Sequence, residues 1–164
     1  MKCIIASRNK DKLQEIKRIL SPLEVEFLSL LDFPDFGEIE EEGITFVENA
    51  LLKAKSVFKT FGFPTIADDS GLVVDALYGM PGVFSSRFAG EKAAYSDNRK
   101  KLLELLKGVP FYKRRAKFVC VAVFIDSYSK FVIETGEVEG FITQYERGEG
   151  GFGYDPVFLY PPLG

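Results

Sequence analysis

The 164-residue chain contains no histidine. This absence excludes Ser-His-Asp catalysis, Cys-His catalysis and zinc sites built from imidazole. A metal ion bound by these residues would be held by carboxylates, which favour hard ions. We therefore expect Mg²⁺, with Mn²⁺ as a substitute, if the protein uses a metal at all.

Other features are scarce as well. Tryptophan is absent, the net charge is only -3, and no apolar run approaches the roughly 20 residues of a transmembrane helix. The weak net charge argues against non-specific binding of nucleic acid. Cys3 and Cys120 lie in apolar, strand-like runs, so we predict two buried thiols in a reducing compartment, the cytoplasm. The start of the chain predicts a strand and is too short for a signal peptide.

The hydrophobic content of 46% is enough for a single domain, 1–164, with a sizeable core and room for two lobes. Apolar periodicity predicts helices over 10–20, 45–61 and 96–107. Strands are predicted over 2–6, 24–28, 118–125, 131–133 and 137–143. A turn at 126–129 is predicted to join two of these strands into a hairpin.

Two adjacent carboxylates, Asp68 and Asp69, lie between the apolar runs 66–67 and 72–74. The pattern predicts a strand, a sharp turn that carries both acids, and a second strand. Adjacent carboxylates are costly to bury unless a cation or hydrogen-bond donors neutralise them, which would indicate a functional site. The alternative is an Asp-Ser-Gly turn whose side chains bond the local backbone.

The segment between the first strand and the first helix favours anions. Backbone N–H groups at a helix N-terminus bind anionic groups, and Ser7 and Asn9 can act as caps. Lys12 lies in the first turn, where the helix dipole disfavours a cation, so a bound anion would explain it. A solvated surface lysine is the alternative.

An acidic cluster at 38–42 precedes the second helix, where Thr45 and Glu48 have the spacing of a capping box. Apolar residues define a core stripe along that helix, which we predict to comprise Val47, Ala50, Leu51, Ala54, Phe58 and Phe61. Asn49 and Lys53 are placed on the opposite face. That face is either wet or turned towards a cleft.

A glycine-rich segment, 148–156, ends the motif-bearing part of the chain. Glycines let the backbone approach a flat ligand closely. Phe152 or Tyr154 could stack on a base, and Asp155 could accept hydrogen bonds from it. A glycine-rich turn with ordinary packing aromatics is the alternative.

Four blocks together resemble the Ham1 / inosine triphosphate pyrophosphatase family. In chain order they are 6–12 (ASRNKDK), 42–50 (EGITFVENA), 67–72 (ADDSGL) and 150–156 (GGFGYDP). Each block alone is weak, but four in the right order over nearly the whole chain are specific.

The resemblance implies an α/β fold with helices flanking a mixed central sheet, two lobes around a nucleotide-binding cleft, and usually a homodimer. It implies a Mg²⁺-dependent nucleoside triphosphate pyrophosphatase that converts non-canonical purine nucleotides (ITP, dITP, XTP) to the monophosphate and pyrophosphate. Asp69 is implied as proton acceptor and metal ligand, with Glu40 or Glu41 as its partner. The implied substrate-binding residues are Ser7, Arg8, Asn9, Lys10, Asp11, Lys12, Lys53, Ser70, Phe152, Gly153, Tyr154 and Asp155.

The family also has a further segment, in which a lysine and a Ser-His-Arg block contact the purine base. This chain is expected to lack that segment. A Maf-type nucleotide pyrophosphatase is a rival, but its first loop resembles Ala-Ser-Ser-Pro-Arg-Arg, whereas residues 8–11 here are RNKD. A nucleotide-binding module without turnover is a second rival. Asp68 and Asp69 argue against a pure binding module, because a protein that only binds a triphosphate gains little from carboxylates without a metal.

Overall fold

Helices and strands alternate along the chain in the computed structural model, which describes residues 1–127 and 130–163. The strands are β1 (Lys2–Ile5), β2 (Glu26–Ser29), β3 (Thr65–Val74), β4 (Arg115–Ser127), β5 (Lys130–Ile142) and β6 (Phe158–Leu159). The α-helices are α1 (Lys10–Leu20), α2 (Phe46–Phe61) and α3 (Tyr95–Leu105). Short 3₁₀ helices lie at Leu30–Asp32, Asp75–Leu77, Gly82–Arg87, Phe111–Lys113, Asp155–Val157 and Pro161–Leu163.

The strands form one mixed sheet in the order β2-β1-β3-β4-β5-β6. β1 is parallel to both neighbours, with Ile4 opposite Leu28 of β2 and Thr65 of β3. β6 is antiparallel to β5. The buried apolar run of β1 is typical of a parallel strand that is covered on both faces. The prediction of an α/β fold with a mixed central sheet is confirmed.

Local signals explain where the helices begin and end. α1 has the predicted bounds, and Asn9 caps its N-terminus. The Thr45 side chain accepts from the Glu48 N–H, and the Glu48 carboxylate accepts from the Thr45 N–H. This is the predicted capping box of α2. Gly62 caps the C-terminus of α2, and its φ of 68° is the left-handed conformation that glycine adopts at low cost.

The chain divides into two compact units, Met1–Asp69 with Val121–Thr135, and Ser70–Cys120 with Gly136–Gly164. β3, β4 and β5 each contribute residues to both units. The first unit buries apolar residues of β1, α2 and β3, and the second has a core from β3, α3, β5 and the 3₁₀ helix at 155–157. Each unit therefore has its own hydrophobic core.

Several sequence predictions need correction. β3 is continuous where a turn was predicted, and β5 is one strand where two pieces were predicted. The polar middle of β5 lacks an apolar signal, but it lies beside β4 in the sheet, where the exposed ion pairs Lys117–Glu137 and Arg115–Glu139 join the two strands. Cys3 is buried as predicted, whereas Cys120 is exposed because it falls on the outward side of β4.

The predicted hairpin turn at 126–129 includes residues 128 and 129, which lie outside the described residues. In the described part of the chain, no helix has the length and hydrophobicity needed to cross a membrane.

Candidate active site

Asp68 and Asp69 lie inside β3 and are 8% and 6% exposed. The turn interpretation is therefore wrong. Successive side chains of a strand point to opposite faces, so the two carboxylates have different neighbours. Each one is near a lysine from a different helix, and these lysines explain how two acids are buried in a strand.

Asp68 pairs with Lys12 of α1. The Lys12 Nζ lies 2.6 Å from Asp68 Oδ2, and both side chains are largely buried. A carboxylate of the protein itself thus supplies an anion beside the first turn of α1, and the alternative of a solvated surface lysine is wrong.

Asp69 pairs with Lys53 of α2, which also pairs with Glu41. Lys53 Nζ lies 3.7 Å from Asp69 Oδ1 and 3.2 Å from Glu41 Oε1. Glu40, the other glutamate considered from the sequence, is exposed. Of the two, Glu41 is therefore the one that the structure brings to Asp69 and Lys53.

The helix face that carries Lys53 is not wet. Lys53 is 9% exposed and Asn49 is fully buried, whereas Val47 of the predicted core stripe is 37% exposed. The wet alternative for this face is therefore wrong, and Val47 is an exception to the predicted core stripe. Periodicity could not decide between the two alternatives, because the carboxylates that neutralise Lys53 come from β3 and from the 38–42 segment.

Two buried polar atoms in the first unit make no hydrogen bond to the described residues: Asp69 Oδ2 and Asn49 Nδ2. The Asn49 side chain is oriented by the Gly43 N–H, which donates to its Oδ1 at 2.8 Å. Buried polar groups without partners are rare and costly, so they indicate that a further group completes the site. Sequence reasoning did not select Asn49, and only its place in the 42–50 block pointed to it.

The pKa of Asp69 is raised from its usual value. Burial is the largest cause, and the nearby Glu41 carboxylate acts in the same direction. Lys53 and Lys12 oppose the shift by their positive charge, and the nearby Asn49 side chain opposes it as a polar neighbour, although its amide does not reach full hydrogen-bond geometry. Perturbed carboxylates of this kind are common at catalytic sites.

The 6–12 segment is held by its own side chains. Ser7 Oγ accepts from the Asn9 N–H, and Asn9 Oδ1 accepts from the Asp11 and Lys12 N–H groups at 3.0 and 3.2 Å. These first-turn donors are therefore already engaged. Arg8 donates to the carbonyls of Phe36 and Gly37, which directs it to the 33–37 loop, and Lys10 is exposed.

The glycine-rich loop lies in the second unit. Asp155 Oδ2 accepts from the Phe152 N–H at 2.9 Å, and a side chain at Gly151 would collide with this carboxylate. Tyr154 is 6% exposed, its hydroxyl donates to the Ser85 carbonyl, and burial raises its pKa. Phe152 is only half-buried, so it is the better placed of the two aromatic rings to meet a ligand.

The predicted residues thus fall into two groups. The first unit brings together Ser7, Asn9, Lys12, Glu41, Lys53 and Asp69, together with Asp68 and Asn49. The second contains residues 152–155 and Ser70, which follows Asp69 in β3 and is half-buried.

Residues 1–127 and 130–163 contain no cluster of three acidic or cysteine side chains that could hold a metal ion. Mg²⁺ commonly uses only one or two carboxylates and completes its shell with water and substrate phosphates. Asp69 and Glu41, which both lie near Lys53, provide two such carboxylates. The donor set therefore fits Mg²⁺.

Curated proteins similar in sequence to this chain match it over nearly its whole length. A curated dITP/XTP pyrophosphatase of Geobacter sulfurreducens is 50% identical over 161 residues, which cover 98% of this chain and 81% of that protein. The Listeria monocytogenes dITP/XTP pyrophosphatase is 48% identical over 99% of this chain and 80% of its own length.

Solved structures of similar fold cover nearly the whole chain as well. A HAM1 protein from Coxiella burnetii superimposes with a TM-score of 0.89 at 41% identity, covering 99% of this chain and 83% of that one. A Mycobacterium abscessus nucleoside-triphosphatase / dITP/XTP pyrophosphatase gives a TM-score of 0.82 at 41% identity, over 98% and 84%. The family model described as Ham1 family matches residues 3–163. Because that match includes all four sequence blocks and the two lysine–carboxylate pairs, the chain belongs to the Ham1 family.

Proposed function

We propose that this protein hydrolyses non-canonical purine nucleoside triphosphates, such as dITP, ITP and XTP, to the nucleoside monophosphate and pyrophosphate. The names of its relatives support this activity and substrate class. The observation that carries the mechanism is the buried Asp69, whose Oδ2 has no hydrogen-bond partner among the described residues.

Positive charge in the first unit suits a polyphosphate. The Lys12 ammonium, paired with Asp68, lies beside the N-terminus of α1, where the helix dipole also attracts anions. Ser7 and Asn9 fix the loop that leads into this helix turn. Together they would bind the phosphates that leave as pyrophosphate.

Asp69 is the proton acceptor in this proposal. An attacking water loses a proton as it bonds to the α-phosphorus, and a carboxylate with an open oxygen can take that proton. A raised pKa makes Asp69 a stronger base than an exposed aspartate. Lys53 favours the charged form of this carboxylate, and Glu41 shares the same lysine.

Mg²⁺ is part of the proposal, held by Asp69 and Glu41. When bound, it would neutralise phosphate charge and polarise the phosphoryl oxygens. Mn²⁺ could substitute because it accepts the same oxygen ligands.

The glycine-rich loop would receive the purine base, with Phe152 as the stacking ring. Of its two aromatic rings, Phe152 is the less buried. A homodimer and a cytoplasmic location remain predictions from the family resemblance and the thiol content.

Two rival functions are less well supported. Neither the family model nor the solved structures above indicate a Maf-type enzyme. A binding module without turnover does not need a buried, partnerless carboxylate oxygen, which is costly to maintain.

The test is a screen of purified protein against common and deaminated nucleoside triphosphates with Mg²⁺, reading pyrophosphate and orthophosphate separately. We expect pyrophosphate, fastest with dITP or XTP, and loss of turnover after chelation. Stepwise release of orthophosphate would refute the cleavage site. Turnover that survives chelation would remove the metal from the proposal.

A further inference from the structure

The guanidinium of Arg99 connects α3 to the glycine-rich loop of the second unit. Its Nε and Nη2 donate to the two carboxylate oxygens of Glu146 at 2.9 and 3.2 Å. Its Nη1 donates to the backbone carbonyl of Gly153 at 2.9 Å. The Arg99 side chain thus bonds both Glu146, which precedes the glycine-rich loop, and Gly153 within the loop.

This contact differs from an ordinary surface ion pair, which contributes little. The Arg99 side chain is only 14% exposed, its bond to Glu146 is bidentate, and its third bond goes to the loop backbone. Bidentate, charge-assisted bonds of this kind combine strength with a fixed direction.

A second contact comes from the same face of α3. Tyr95 lies four residues before Arg99, one helical turn away, and its ring centroid is 5.9 Å from that of Phe152. α3 therefore contacts two neighbouring loop residues, Phe152 through a ring and Gly153 through its carbonyl. The Phe152–Gly153 segment is therefore held on α3 by a ring contact at one residue and a hydrogen bond at the next.

Within the loop, Asp155 bonds the Phe152 N–H, so the turn is closed from inside as well. The internal bond sets the shape of the turn, whereas Arg99 sets its position on the body of the second unit. Neither residue of the Arg99–Glu146 pair was selected from the sequence, because a lone arginine in a charged helix gives no signal until its partner, 47 residues away, is known.

We propose that Arg99 is a positioning residue that holds the Phe152–Gly153 segment in its base-binding conformation and thereby sets affinity for the purine base. This rests on the function proposed above, in which that segment receives the base. Because Arg99 acts through the loop, its removal should weaken base binding in the ground state and the transition state alike. The expected signature is a higher KM with little change in kcat.

The experiment compares wild type with Arg99→Met, Glu146→Gln and the control Lys117→Met. Lys117 belongs to an ion pair with Glu137 in the same unit and is 36% exposed. For each protein, kcat and KM for dITP are measured by pyrophosphate release. The inhibition constant of inorganic tripolyphosphate and the melting temperature are measured as well. Tripolyphosphate has no base, so it reports on the phosphate site alone.

We expect Arg99→Met to raise KM for dITP about tenfold, the scale of one lost charge-assisted hydrogen bond, with kcat changed by less than about twofold. The tripolyphosphate constant should stay at the wild-type value. Glu146→Gln keeps a hydrogen-bonding group and should give a smaller rise in KM. Lys117→Met should leave both constants unchanged.

An Arg99→Met protein with wild-type KM, or with equal losses for dITP and tripolyphosphate, overturns the inference. A lower melting temperature alone, with unchanged KM, would make Arg99 a purely structural residue. If wild type releases no pyrophosphate, the proposed function fails instead. Calorimetric binding of IMP to wild type and Arg99→Met then decides the inference, since equal affinities, or no binding by either, overturn it.

Discussion

Replacing Asp69 with asparagine is the sharpest test of the candidate active site. The change keeps the size of the side chain and removes its charge. If Asp69 accepts a proton from water, turnover should fall about 10²- to 10⁴-fold, the usual range for a lost general base. A structural aspartate in β3 would leave turnover near the wild-type value, because the strand does not depend on that carboxylate.

The structure also predicts the effect on stability. An opposite charge at 3.7 Å contributes about 4 kcal/mol of attraction at an effective dielectric constant of 20. Removing an ion of this size from water costs several kcal/mol. Burial is the largest cause of the shift in the pKa of Asp69, and that pKa is raised, so the burial cost exceeds the attraction. Lys53 keeps Glu41 as a partner in the variant, so no lysine is left alone.

Asp69→Asn should therefore be as stable as wild type at neutral pH, or more stable. The sign follows from linkage. A carboxyl whose folded pKa is raised costs stability progressively as pH rises from its unfolded value of 3.8 through the folded value. The advantage of the variant should be full above that window and vanish below it.

Turnover with dITP and Mg²⁺ and melting temperature in chelator are measured on one preparation at several pH values. Asp75→Asn is the matched control, because it makes the same change at an exposed carboxylate just after β3. A folded Asp69→Asn protein with wild-type turnover refutes the assignment. A marked loss of stability at neutral pH refutes the electrostatic reasoning.

Three further predictions concern Lys12, Glu41 and the two thiols. Lys12→Ala should weaken binding of a nucleoside triphosphate far more than that of its monophosphate, measured by calorimetry; an equal loss would place Lys12 outside the phosphate site. Glu41→Gln should raise the Mg²⁺ concentration needed for half-maximal activity at least severalfold, with Glu40→Gln unchanged as its control, and the reverse order would reassign the ligand. At pH 8 a thiol reagent should label Cys120 and spare Cys3, whose pKa burial raises to about 11; labelling of both would contradict the predicted protection.

Local rules predicted the elements whose signals are local. The bounds of α1 and the capping box of α2 follow from residues within a few positions of each other, and the structure has both. The mixed α/β sheet was also predictable, through strand patterns and the family resemblance. The successes at α1 and α2 depend on capping and periodicity, which act over one or two helical turns, whereas the mixed sheet was implied by the family resemblance.

The candidate site depends on contacts that have no local signal. Lys12 and Asp68 are 56 residues apart in sequence. Hydrophobic periodicity places Asn49 and Lys53 on the polar face of α2 but cannot tell whether that face meets solvent or a carboxylate from another part of the chain. Arg99 was missed for the same reason, since both of its partners come from the region around the glycine-rich loop.

At β3, contacts with distant lysines override the local preference for a turn. Two acids and a following Ser-Gly favour a turn by local propensity. A turn would have directed both carboxylates to one exposed bend, where they compete for the same counter-ions. In a continuous strand they alternate, so Asp68 takes Lys12 from α1 and Asp69 takes Lys53 from α2. This separation leaves Asp68 neutralised by a close ion pair, while Asp69 keeps one oxygen without a partner for chemistry.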